Sequence, residues 1–131
     1  MNKYIEKKSY FKNGKIKTHF EFKNGIHHEK YYYDNGKLTY HFKYKNGIRH
    51  GEQKHYYDNG KLSYYCNYKN GIEHGEQKGY YYNGKLIYHY NNKNGLQHGI
   101  QKGYYDNLHE LKYSILYFNN YKQGFGIIYD K

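Results

Sequence analysis

YKNGIRHGEQKHYYDNGKL, from Tyr44 to Leu62, returns as YKNGIEHGEQKGYYYNGKL from Tyr68 to Leu86. Asn-Gly pairs end at Gly14, Gly25, Gly36, Gly47, Gly60, Gly71, Gly84 and Gly95, in steps of 11, 11, 11, 13, 11, 13 and 11. Segments of 11 and 13 thus alternate with a period of 24, and such a period marks a repeat architecture. Asn and Gly both tolerate positive φ, so Asn-Gly between strand-like residues is a strong hairpin signal. The reading is an all-β fold, an elongated single-layer antiparallel meander of tandem β-hairpin repeats.

Treating every Asn-Gly as a two-residue loop sets a register. It pairs Lys45 with Ile48, Tyr44 with Arg49, Phe42 with Gly51, Tyr40 with Gln53, Asp58 with Lys61, Tyr57 with Leu62, and Gly51 with Tyr68. Because strand side chains alternate faces, one face then collects Leu38, Tyr40, Phe42, Tyr44, Leu62, Tyr64, Cys66, Tyr68, Leu86, Tyr88 and Tyr90. Gly51, Gly75 and Gly99 lie opposite these rings, an arrangement in which aromatics cover bare backbone. The other face receives His50, His74, His98, Glu52, Glu76 and rows of lysine, and reads as solvated and basic.

The ends continue the pattern. YIEKKSYFKNG, from Tyr4, matches the second half of the long segment, and NNYKQGFGIIYD near the end matches NGLQHGIQKGYYD with Asn120 in the glycine place. Leu108 replaces the last turn glycine. The chain, residues 1–131, therefore reads as a single repeat domain of units of 22–25 residues with partial units at both ends.

Composition agrees. Only 37% of residues are hydrophobic and mean hydropathy is −1.33, yet aromatics reach 22% with 23 Tyr. Disordered chains are poor in aromatics, so this chain folds on a thin core. It has no Pro, Ala or Val, which leaves few strong helix formers. MNKYIEKKSYF lacks the apolar segment of a signal peptide and no run is long enough to cross a bilayer; the expected location is cytoplasmic. Cys66 is the single cysteine, which excludes an intramolecular disulfide and a cysteine zinc cluster.

An enzyme is not expected, because every conspicuous feature is repeated whereas an active site is one asymmetric constellation. No cofactor is expected either, since the glycines are spaced for turns and none opens a helix. His50, His74 and His98 recur two strands, or about 9.6 Å, apart, too far to share a metal ligated at about 2 Å. Charge is the strongest remaining signal: 22 Lys and Arg against 11 Asp and Glu give +11. Candidate contacts for a polyanion, nucleic acid or an anionic membrane surface, are Lys37, Lys54, Lys61, Lys78, Lys85 and Lys102.

A one-layer sheet leaves its rings without cover, and a large exposed apolar patch marks an interaction site. The expected partner surface is Tyr40, Phe42, Tyr44, Tyr64, Tyr68, Tyr88 and Tyr90, and the expected function is non-enzymatic protein binding or scaffolding. The first strand carries Lys7 and Lys8, whereas GFGIIYD at the end is apolar up to Asp130. A charged edge resists strand pairing and a bare one invites it, so Phe125, Ile127, Ile128 and Tyr129 form the candidate edge of a homodimer.

The phrase Tyr-Lys-Asn-Gly, two residues, His-Gly, then Tyr-Tyr and Asn-Gly-Lys-Leu resembles the membrane occupation and recognition nexus (MORN) repeat. It is most similar to the bacterial and viral variant, which uses tyrosines and a second Asn-Gly in place of Tyr-x-Gly-x-Trp. The resemblance implies an elongated sheet of hairpins used for protein interaction and oligomerisation. It further implies phosphoinositide binding as proposed for some members, and an antitoxin-like role as neutraliser of a specific protein. The chain departs from the eukaryotic form in having no Trp, and IHHEKYYYDNG, from Ile26, lacks the glycine of the His-Gly pair. On the edge reading, deletion of residues 124–131 leaves a monomer by light scattering; a truncated chain that stays dimeric refutes it.

Overall fold

The computed structural model describes residues 3–106 and 110–129, except the side chains of Gly124 and Phe125. Among these residues there are thirteen strands: β1 Tyr4–Tyr10, β2 Ile16–Lys23, β3 Ile26–Tyr32, β4 Leu38–Lys45, β5 Ile48–Arg49, β6 Gly51–Tyr56, β7 Leu62–Lys69, β8 Ile72–Tyr80, β9 Leu86–Lys93, β10 Leu96–Gln97, β11 Gly99–Tyr104, β12 Leu111–Phe118 and β13 Tyr121–Ile128. All join one antiparallel sheet in chain order, with the short β5 and β10 pairing to β4 and β9. Among the described residues no second layer lies on either face. Among the described residues, Cys66, Gln53 and Gln101 are the non-glycine residues that are buried.

The Asn-Gly pairs make two kinds of turn, not one. Asn24, Asn46, Asn70 and Asn94 have φ of 50 to 53° and are followed by glycines that are also left-handed, the two-residue type I′ loop. Asn119 and Asn120, at 47° and 69°, make the same turn without glycine. The pairs ending at Gly14, Gly36, Gly60 and Gly84 differ. There glycine alone is left-handed, its N–H donates to the residue three back (Gly60 to Tyr57, 2.9 Å), and Tyr57 N–H donates to Lys61 at 2.8 Å. That is a three-residue loop, a turn followed by a glycine bulge. In each, the asparagine Oδ1 accepts from the N–H two residues on, as in Lys61 to Asn59 at 2.9 Å.

This corrects half of the expected register. Lys45–Ile48, Tyr44–Arg49 and Gly51–Tyr68 pair as expected. Leu62 pairs with Tyr56 instead of Tyr57, because the three-residue turn shifts the strand by one. Tyr40 pairs with His55, two residues beyond Gln53, because the chain inserts two residues at His50-Gly51. The same shift falls between Cys66 and Tyr68 opposite β8. The first repeat lacks those two residues, and there β3 pairs to β2 in unbroken register. A regular unit therefore takes 22 residues and a bulged one 24.

At the bulges Gly51, Gly75 and Gly99 have φ of +77, +88 and +83°. Nothing comes closer than 3.9 Å to where their Cβ atoms would stand. They serve backbone conformation, not ring packing, which corrects the expected role. The rings that cover glycine sit elsewhere: a Cβ on Gly79 would collide with the ring of Tyr88, and one on Gly103 with the ring of Tyr113.

Two buried glutamines close the bulges. Gln101 Nε2 donates to Asn91 O at 2.8 Å while its Oε1 accepts from Asn91 N at 2.9 Å, standing in for the missing strand peptide. Gln53 Nε2 donates to Lys43 O at 2.8 Å. Substitution at Gly51 separates backbone from packing. Gly51→Ala costs about 1–2 kcal/mol from the left-handed conformation alone, and Gly51→Asn costs less, in chemical denaturation with unchanged m-value. An alanine as stable as glycine overturns the assignment.

Candidate functional site

Tyr40, Phe42 and Tyr44 on β4, Tyr64 and Tyr68 on β7, and Tyr88 and Tyr90 on β9 share one face, with β6 and β8 between. His55 of β6 links the first two groups: its ring lies 4.6 Å from Tyr40, 5.5 Å from Phe42 and 5.3 Å from Tyr64. Tyr40 stacks on Phe42 at 5.5 Å and Tyr88 on Tyr90 at 4.6 Å. The Arg49 guanidinium sits over both Phe42 (5.8 Å) and Tyr68 (5.5 Å), joining neighbouring repeats by cation–π attraction. Between β7 and β9 the contact becomes polar. Gln77 donates to Tyr64 Oη at 2.9 Å and accepts from Asn92 at 3.2 Å.

The face is larger than the seven expected rings. Phe20 and Phe22 on β2, His27 and Tyr31 on β3, and Tyr113 on β12 extend it: His27 stacks between Phe22 (3.9 Å) and Tyr44 (5.2 Å), and Tyr113 bonds through its hydroxyl to Tyr90. Phe20 stands one repeat before Phe42, and Tyr113 stands in the place of Tyr88. Extending the period through both partial units marks them. His27 escapes that rule, because its place in the repeat is set by the two missing residues. Burial holds the Tyr64 phenol and the Cys66 thiol above their ordinary ranges, and Cys66, 3% exposed, packs within the layer.

The six expected polyanion lysines do not form one patch. Lys37 and Lys61 donate to the carbonyls of Asn59 (3.1 Å) and Asn83 (2.8 Å) in the adjacent three-residue turn, and Lys85 occupies the same margin. Lys54 and Lys78 lie on the face opposite the rings, ion-paired with Glu52 (2.7 Å) and Glu76 (2.8 Å), with Tyr65 between them. Lys102 follows in that row, beside His89 and Ser114. At the edge, Ile127 and Ile128 are exposed on β13, as is Tyr129 beyond it; the Phe125 side chain lies outside the described residues.

A scan against protein families matches residues 3–24, 28–46, 49–70 and 73–94 to the MORN repeat variant, more than half of the chain. The chain belongs to that family. No curated protein and no solved structure matches it. MORN repeats are in general protein- or membrane-binding modules and are generally non-catalytic. The last two matched MORN segments each run from the start of a bulged strand to the next type I′ turn. The structure continues this unit through β10, β11 and β12, beyond the matched residues. Among the described residues no helix is long and apolar enough to cross a membrane.

Histidine burial makes the sheet acid-sensitive. Burial and then the neighbouring His28 lower His41 from 6.5 to about 4, and burial also lowers His28 and His55. The unfolded chain binds these protons first, so stability is full above pH 6.5 and falls as pH drops from 6.5 toward 4. Glu21, Glu52 and Glu76, lowered by their lysine partners, add a loss only below pH 4.5. Thermal melts show the midpoint declining across pH 6.5–4, and His41→Tyr makes that decline shallower; a flat profile refutes the assignment.

Proposed function

We propose that the chain is a non-enzymatic scaffold that presents its ring-lined face to a protein partner. The carrying observation is that no layer covers this face among the described residues. Its rings contact one another across the strands while Tyr40 remains 38% exposed, so the surface is apolar, ordered and accessible. The rings are held by contacts within the sheet, and little ordering cost attends docking. Neutralisation of one particular protein is the narrowest form of this reading. Pairing of two copies through the open β13 edge, where Ile127 is 56% and Ile128 65% exposed, is compatible with it.

A second reading has its own observation. Along the type I′ margin, on the face opposite the rings, the register alternates Lys23, Ile26, Lys45 and Ile48, and repeats the pairing at Lys69–Ile72 and Lys93–Leu96. The lysines are exposed, as are Ile48 and Ile72, each 51%. Exposed aliphatics interleaved with cations suit an anionic membrane surface.

Capture from a lysate of the native source, in low and high salt, decides between the two. A single protein that survives high salt and is lost with the Tyr40→Ser, Tyr44→Ser variant supports the scaffold. Retention of anionic lipid alone, removed by salt and by Ile48→Asp with Ile72→Asp, replaces it with the membrane reading.

A further inference from the structure

On the face opposite the rings the glutamate of the repeat is replaced twice, by Ile100 in β11 and by a histidine in β3. There β6 and β8 carry Glu52 and Glu76 two residues before a lysine, and each carboxylate pairs with that lysine. In β3 the same place holds His28, and Lys30 turns instead to Glu21 of β2 at 2.6 Å. His28 is left to face His41 of β4, Nδ1 to Nε2 at 2.9 Å. The two rings line a cleft of about 590 Å³, with Lys23 and Lys43 as further donors and Tyr4 and Ile26 as apolar wall.

We propose that this cleft binds a compact dianion of the phosphomonoester class, its phosphoryl group held by His28, His41, Lys23 and Lys43 and its organic part against Tyr4 and Ile26. The volume lies within the range of small-molecule sites. Glu21 balances Lys30, while Lys23 and Lys43 leave the cleft net positive; Glu52, 3.5 Å from Lys43, has its closer partner in Lys54. The same field disfavours a metal cation on the two imidazoles.

Every group facing the pair bears on its protonation. Glu21, Lys23 and His19 face it from β2, Lys30 from β3, Lys43 from β4 and Lys54 from β6; Glu52 acts through Lys43, and His27 of β3 disfavours charge on His28 from the other face. Burial and these lysines disfavour the charged form of both rings in the free protein. A bound dianion reverses the lysines' effect, and each ring that gains a proton becomes a donor at both nitrogens. Binding therefore takes up protons at the rings and tightens as pH falls from 8 toward 6, a gain that outweighs the loss of the second charge by about half of the phosphomonoester at its own pKa of about 6. The site is on the face away from the ring surface and stands independently of the scaffold reading.

The test titrates the full chain with AMP by calorimetry and by proton NMR of the histidine rings, at pH 6 and pH 8. His28→Glu installs the residue that β6 and β8 carry, and His41→Tyr the one that β7 carries, so both preserve the fold's own repertoire. The expected result is one saturable equivalent at pH 6, weaker at pH 8, with two histidine signals moving. Each variant weakens binding by at least about tenfold, whereas Lys61→Gln on the far margin leaves it unchanged. Phosphatidate vesicles that displace AMP assign the phosphomonoester to a lipid headgroup, and vesicles that do not assign it to a soluble molecule. No saturable binding, undiminished affinity in both folded histidine variants, or succinate binding as tightly as AMP overturns the proposal.

Discussion

A single-layer sheet has no second layer to pack against, so its cohesion has to come from within the layer, and here it comes from bonds between successive turns. At one margin Asn13, Asn35 and Asn59 donate to the carbonyls of Asp34, Asp58 and Tyr82 in the next turn. Lys15, Lys37 and Lys61 do the same one residue on, and Tyr33 and Tyr57 reach the carbonyls of Tyr56 and Tyr80. At the other margin backbone bonds run from Gly71 to Arg49 and from Gly95 to Glu73, each 2.8 Å. Each turn thus holds the turn two strands away. A lone hairpin is marginal in water, and stacking supplies what it lacks.

The bulge follows from the same constraint. A two-residue insertion opens the ladder between β4 and β6 and between β9 and β11, exposing backbone groups that a covering layer would otherwise shield. Gln53 and Gln101 fill the openings at 2% exposure, Gln101 donating and accepting as a peptide would and Gln53 donating alone. In β8 the equivalent Gln77 turns to Tyr64 and Asn92 instead. One residue type in one repeat position thus performs two tasks, according to the side chains across the strand.

Net charge of +11 gives a misleading picture of where positive potential is available. Lys15, Lys37 and Lys61 in the turns are tied to carbonyls, and Lys54 and Lys78 on the open face are paired with glutamates. Free positive charge concentrates at the type I′ margin and around the first repeat, where His28 replaces a glutamate. Repetition builds the surface, and the departure from repetition gives one end a chemistry that the others lack.

The sequence by itself determined the all-β meander, its repeat length, the ring-bearing strands β4, β7 and β9, and the placement of Cys66. All of these follow from period-two alternation and from the spacing of Asn-Gly, which are local properties of the chain. Tertiary structure decided the turn type at each Asn-Gly, because the dipeptide permits both loops and the choice rests on the register of the strands it joins. It decided the purpose of Gly51, Gly75 and Gly99, since a bulge exists only relative to a partner strand. It also brought His28 against His41, thirteen residues apart in sequence and 2.9 Å apart between ring nitrogens. Neither residue is distinctive alone, and cross-strand register is what makes them a pair.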